Sequence, residues 1–170
     1  GLAEKILSQR DRIEGERKQV TVMFCDMEGF TPLSELLGIE EAYSIMDQVY
    51  EILIHKVHDY EGTVNEMTGD GIMALFGAPI AHENHAQRAC YAALSIKRAI
   101  EDYGKQIQED YGLEFKMRLG INSGLVIVGS IGDDLRMDYT AVGDTTNLAK
   151  RMESIAEPGN IVVAENTYLL

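Results

Sequence analysis

The sequence predicts an α/β sandwich: a mostly antiparallel sheet with helices packed over it, close to the split β-α-β class. Three observations carry this. Short apolar runs rich in β-branched residues are interleaved with longer stretches of helical periodicity. Gly69-Asp70-Gly71, set between two β-rich runs, signals a hairpin and hence antiparallel neighbours. Residues 114–122 place Phe115, Met117, Leu119 and Ile121 at alternate positions, the pattern of a strand with one face in a core.

The elements follow in order. Leu2, Ile6, Gln9 and Ile13 recur at 4-3-4 spacing, a short helical stripe, so residues 1–17 read as an N-terminal helix or linker. Residues 18–170 read as one domain. Val20–Asp26 reads as a strand ending on a carboxylate. Thr31-Pro32 reads as an N-cap followed by proline at the first helical position. A helix over 39–60 gathers Ile45, Met46, Val49, Leu53 and Val57 on one face, and Gly62 is expected to end it. Residues 63–77 form the hairpin. A long helix from about Glu83 past Ile100 carries Ala86, Ala89, Cys90, Ala93, Leu94 and Ile100 as its core stripe. Strands are expected over 114–122, 124–132 and 138–142, a helix over 144–155, and a last strand over 160–164.

Composition narrows the function classes. Acidic residues number 28 against 15 basic, a net charge of −13. Such a surface repels nucleic acid and anionic lipid, but admits a phosphorylated ligand when a cation lies between the charges. No run approaches the roughly 20 apolar residues of a membrane helix. The first turn is charged and no leader pattern follows it. Cys25 and Cys90 lie in apolar patterns and read as buried thiols. The expectation is a cytoplasmic location with no membrane segment in this chain. Met23, Met46, Met67, Met73 and Met117 read as core filler. His55 with His58, and His82 with His85, are spaced as pairs, and two ligands do not make a zinc site.

Three stretches carry chemistry. Asp26 ends the first strand and Asp70 sits in the hairpin turn, so neighbouring strands would bring both carboxylates to one rim of the sheet. Carboxylates that close repel unless a cation lies between them, and hard oxygen ligands favour Mg²⁺ or Mn²⁺. The alternative is a helix-capping Asp26 and a turn-forming Asp70. Gly29 allows close backbone approach, and the helix start at Thr31 offers unpaired N–H groups for phosphate. Phe30 reads either as a wall of a base pocket or as core. Asn147 and Arg151, four apart, share a helix face and could hold a ribose and a phosphate, or be ordinary solvated polar residues.

Together "FCDMEGFT", "MTGDGIMALFG" and "DYTAVGDTTNLAKRME" resemble the class III nucleotidyl cyclase catalytic domain, that of adenylyl and guanylyl cyclases. The resemblance covers about residues 18–165. It implies a ferredoxin-like βαββαβ core and sites shared between the two members of a head-to-tail homodimer. Asp26 and Asp70 would hold two ions, Mg²⁺ or Mn²⁺, from one protomer. Asn147 and Arg151 would come from the other. The implied reaction turns a nucleoside triphosphate into a 3′,5′-cyclic monophosphate and pyrophosphate.

The base-reading position falls on Glu66 and its partner on Thr140. A carboxylate is an acceptor only, which suits guanine N1–H and faces adenine N1 acceptor to acceptor. Thr140 serves either base. The expectation is GTP slightly ahead of ATP, with an ATP-using cyclase and a catalytically silent cyclase-homology module as alternatives. Arg136 is a further candidate phosphate contact. The family domain continues past the position of Leu170 with strands bearing a lysine for the triphosphate, so a domain truncated at its C-terminus is expected.

Overall fold

The first strand shows how this chain sorts its residues. In the computed structural model, which describes residues 17–127 and 144–170, β1 spans Arg17–Glu28. Its side chains alternate between two faces of the sheet. Met23, Cys25 and Met27 enter one core, while Val20, Val22 and Phe24 enter a second. Asp26 therefore falls on the second face, in step with Phe24.

The remaining described elements are α1 (Phe30–Leu37), α2 (Ile39–Asp59), β2 (Thr63–Met67), β3 (Gly71–Phe76), α3 (His85–Tyr111), β4 (Lys116–Ile127), α4 (Asp144–Ile155), β5 (Ile161–Val163) and α5 (Glu165–Tyr168). The sheet runs β2-β3-β1-β4-β5. Every neighbouring pair is antiparallel except β4 with β5. Its first four strands have the ferredoxin-like order, and β5 adds a parallel edge. β1 pairs with β4 along its full length, from Arg17↔Ile127 to Glu28↔Lys116. This long central pair makes the sheet a rigid platform.

Helices α2 and α3 cover the larger core, through Ile45, Met46, Val49, Leu53 and Val57 on one and Ala89, Ala93, Ile96 and Ile100 on the other. Helix α4 lies on the opposite face, where Ala149 joins Val20, Val22, Met73, Leu75 and Val126. It presses directly on β4. A Cβ added at Gly120 would stand 2.0 Å from the Glu153 amide nitrogen and 2.6 Å from the Ala149 carbonyl oxygen. Gly120→Ala is expected to lift α4 and destabilise the fold by on the order of 3 kcal/mol, read as a lower urea midpoint at unchanged slope.

Several expectations need correction. Residues 116–122 and 124–127 belong to one strand, β4, which starts two residues later than expected and is continuous because Gly124 packs under Thr145 and makes no turn; 128–132 lie outside the described residues. Asp26 does not end β1; two further residues pair with β4. Thr31 is not an N-cap. That position belongs to Gly29, whose φ of 99° is left-handed, while Thr31 accepts from Ser34 inside the helix. The left-handed residue after α2 is Glu61, not Gly62. Gly62 is needed for clearance, since a Cβ there would meet the Phe76 ring at 2.5 Å. Leu94 and Met67 are exposed, whereas Ala92 and Ile96 complete the stripe of α3. Cys25 is buried and Cys90 only half-buried. Arg17, expected in the N-terminal helix or linker, opens β1. The rest of that segment (1–16), the strand of 138–142, Arg136 and Thr140 lie outside the described residues.

A buried polar chain ties the far end of the sheet to the helices. Thr21 Oγ1 lies 2.7 Å from His85 Nδ1 and 2.7 Å from Ser123 Oγ, which lies 2.8 Å from Thr167 Oγ1. Burial lowers the His85 pKa below its ordinary 6.5. On acidification the unfolded chain takes up this proton first. Stability is thus complete above about pH 6.5 and declines as pH falls towards the folded pKa. Thermal melts between pH 7.5 and 5 are expected to show a shallower pH slope in His85→Gln than in the parent.

Candidate active site

Strand register, not proximity in sequence, assembles the acidic pair. Asp26 on β1 stands opposite Gly71 on β3. The Met27 amide donates to the Asp70 carbonyl at 2.7 Å, so Asp26 and Asp70 occupy adjoining positions on one rim. Gly71 makes this approach possible, since a Cβ there would stand 1.9 Å from the Cys25 carbonyl oxygen. The hairpin tip is closed by the Thr68 amide donating to the Gly71 carbonyl at 2.9 Å. Tyr50 of α2 donates its hydroxyl to the Thr68 carbonyl. Burial and the nearby Asp70 and Asp47 raise the Tyr50 pKa, which keeps that donor protonated.

Asp26 is held from the other side. Arg118, its register partner on β4, reaches both carboxylate oxygens, Nε to Oδ1 at 3.3 Å and Nη2 to Oδ2 at 3.2 Å. The same Nη2 lies 3.3 Å from Oε1 of Glu153 on α4. Lys150 Nζ lies 3.1 Å from Glu153 Oε2 and 5.3 Å from the centre of the Phe24 ring. Glu28 is exposed and 3.8 Å from Arg118 Nη1. Glu153 is only 1% exposed, and burial, with Asp26 beside it, lifts its pKa to about 7 against the opposing pull of Lys150. Burial, then Asp26 and Glu153, push the Cys25 thiol well up, so it stays protonated and unreactive.

Sequence reasoning missed Arg118 and Glu153. Arg118 read as one of the outward charges of an alternating strand. Glu153 read as part of a polar helix. The available signals were Gly120, a glycine inside a strand that marks close backbone approach, and the i, i+4, i+7 spacing of Ala149, Glu153 and Ala156.

The other candidates divide. Asn147 and Arg151 share the exposed side of α4, turned away from the side that buries Ala149 and Glu153. They do not meet Asp26 within one chain. Glu66 is exposed on β2, next to a register shift and in the same hairpin as Asp70. Gly29 leads α1 from the Asp26 end of β1. Phe30 packs partly on the larger core and edge-on to Tyr43, with ring centres 6.4 Å apart. His85 is spent on Thr21, and His82 pairs with Glu61 at 2.9 Å. Among the described residues no group of three or more His, Cys, Asp or Glu is arranged to hold a metal. Two carboxylates on one rim suit a hard cation that completes its shell with water and phosphate oxygens, the habit of Mg²⁺. The donor set therefore fits Mg²⁺ or Mn²⁺ and not zinc. No helix among the described residues is long and apolar enough to cross a membrane.

Comparison with known proteins gives a consistent picture. The family model described as "Adenylate and Guanylate cyclase catalytic domain" matches residues 14–170. The chain is 37% identical to adenylate cyclase 1 of Rhizobium meliloti over 140 residues, 82% of this chain and 21% of that protein. It spans under a third of the curated relatives it matches. The structure is similar to that of the adenylyl cyclase CyaB from P. aeruginosa, with a TM-score of 0.84 and 33% identity over 91% of this chain and 80% of that one. It is similar to that of the guanylyl cyclase Cya2 to nearly the same degree, with a TM-score of 0.83 and 33% identity over 92% and 79% of the two chains.

Proposed function

The chain belongs to the adenylate and guanylate cyclase catalytic domain family, and we propose that it cyclises a purine nucleoside triphosphate at a site shared by two copies. The observation that supports this reading is the register Asp26↔Gly71 with the Met27 amide on the Asp70 carbonyl, which puts the two aspartates at adjoining backbone positions on one rim of the sheet. Residues 18–170 would be the catalytic domain.

In the proposed reaction the ribose 3′-hydroxyl gives its proton to solvent water, its oxygen bonds to the α-phosphorus, the bond from that phosphorus to the β-phosphate bridge breaks, and pyrophosphate leaves. Asp26 and Asp70 would hold a pair of Mg²⁺ or Mn²⁺ ions. Such ions, when bound, acidify the attacking hydroxyl and offset charge on the phosphates. The left-handed turn at Gly29 frees the first amides of α1, including those of Phe30 and Thr31, to face phosphate oxygens. Asn147 would orient the ribose, and Arg151 would neutralise charge building on the reacting phosphate. Because Asn147 and Arg151 lie on the outer side of α4, they would serve the site of a second copy, which gives a two-fold dimer two equivalent sites. Arg136 is a further candidate for the triphosphate.

Base choice falls to Glu66, with Thr140 as its neutral partner. The two solved structures described above differ in base, one adenylyl and one guanylyl, so fold similarity does not choose between them. Glu66 accepts hydrogen bonds and favours guanine over adenine. Glu66→Lys is expected to raise the ratio of cyclic AMP to cyclic GMP about tenfold, the effect of removing one buried mismatch. Product ratios from equimolar ATP and GTP with Mn²⁺ measure this. An unchanged ratio would remove Glu66 from base recognition. Absence of either product from a confirmed dimer would replace catalysis with nucleotide or partner binding.

A further inference from the structure

We propose that Glu153 couples the two sites of the dimer, by competing with Asp26 for the guanidinium of Arg118. This rests on the shared-site reading above. Asp26 would serve the site formed on its own sheet rim, while helix α4 of the same chain lends Asn147 and Arg151 to the other site. The side chains that join Asp26 to α4 therefore join one site to the other.

The geometry of the join is unbalanced. Arg118 meets both oxygens of Asp26 in a fork. Its Nη2 also lies 3.3 Å from Glu153 Oε1, yet that oxygen has no hydrogen-bond partner and is buried. A buried acceptor left unpaired is costly, and Arg118 is the donor within reach that could satisfy it. Asp26 holds Arg118 in the alignment that leaves Glu153 Oε1 without a hydrogen bond.

When Asp26 turns its charge to cations, its grip on Arg118 weakens and the guanidinium can align with Glu153. That contact fastens α4 to β4 at the place where Gly120 already lets helix backbone touch strand. A firmer α4 presents Asn147 and Arg151 in one pose, so the second site binds at smaller ordering cost. The coupling is positive, and it is reciprocal by linkage. Lys150, 3.1 Å from the other oxygen of Glu153, holds that carboxyl group in place.

The test uses the purified dimer with Mn²⁺ and the 3′-deoxy form of whichever triphosphate is turned over, which cannot cyclise. Free Mn²⁺ is read by electron paramagnetic resonance. In the parent, the second site is expected to bind about fivefold or more tightly than the first after statistical correction. In Glu153→Gln, which keeps the shape and loses the charge, the two constants should agree within about twofold. Arg118→Lys keeps a cation without the fork and should behave like Glu153→Gln, so it decides the matter if the glutamine variant does not fold. A heterodimer of Asp26→Asn with Arg151→Ala, left with one complete site, should bind with one constant. If that heterodimer shows no activity, the shared-site reading fails. If it is active but the parent's two sites bind independently, or the folded variants keep the parent's coupling, the relay through Glu153 is wrong.

Discussion

Asp26→Asn and Asp70→Asn, made separately, are each expected to lower cyclic nucleotide formation by at least about 10²–10³-fold while leaving the fold in place. The two substitutions delete charge and little else. Asn at 26 still accepts from Arg118, which also keeps Glu153 and Glu28 nearby, so the stability change should stay within about 1–2 kcal/mol. Asp70 is exposed at a hairpin tip, and its variant should melt within about 0.5 kcal/mol of the parent. The contrast between a large kinetic effect and a small thermodynamic one separates a ligand role from the alternative. A turn-forming Asp70 and an Asp26 that served only to hold Arg118 would show the reverse: altered melting and near-parent turnover. Raising Mn²⁺ should partly rescue each single variant, because one carboxylate of the pair remains.

The second large effect is complementation. Asp26→Asn and Arg151→Ala homodimers are each expected to be nearly silent, since both of their sites are damaged. Mixed in equal amounts and allowed to exchange, half of the dimers carry both kinds of chain. Each such dimer has one intact site, with the acidic pair from one chain and the Asn147–Arg151 face from the other. Recovery of about a quarter of parental activity is the expected result. A site contained within one chain could not be restored this way. Within the chain, Asn147 and Arg151 occupy the side of α4 opposite the side that reaches Asp26 through Glu153, so a single copy lacks the means to bring them together.

Much of this arrangement was legible in the residues. The alternation of Phe115, Met117, Leu119 and Ile121 and the Gly-Asp-Gly hairpin gave the antiparallel sheet, and the spacing of Ile45, Met46, Val49, Leu53 and Val57 gave the buried face of α2. The adjoining backbone positions of Asp26 and Asp70 followed once their strands were neighbours. Glycine roles were harder to read, because a glycine chosen for φ and one chosen for clearance look alike in a sequence. Gly62, Gly71 and Gly120 are clearance glycines, set against an aromatic ring, a strand and a helix. Strand ends were misread for a related reason. A carboxylate inside a strand looks like its terminus unless a cross-strand arginine is known to meet it, and Arg118 comes 92 residues after Asp26. Glu153 was hidden because a buried acid is rare, and its partners lie on β1, β4 and the preceding turn of α4.

The central claim is that the two aspartates of one rim share divalent ions. Crystals grown with Mn²⁺ and a 3′-deoxy nucleoside triphosphate test it directly, because manganese is located by its own anomalous scattering. Two peaks about 3.5–4 Å apart, each within bonding distance of Asp26 or Asp70 oxygens and of phosphate oxygens, are the expected result. Manganese bound elsewhere, or a nucleotide seated with Asp26 still forked to Arg118 and no ion beside it, would contradict the account.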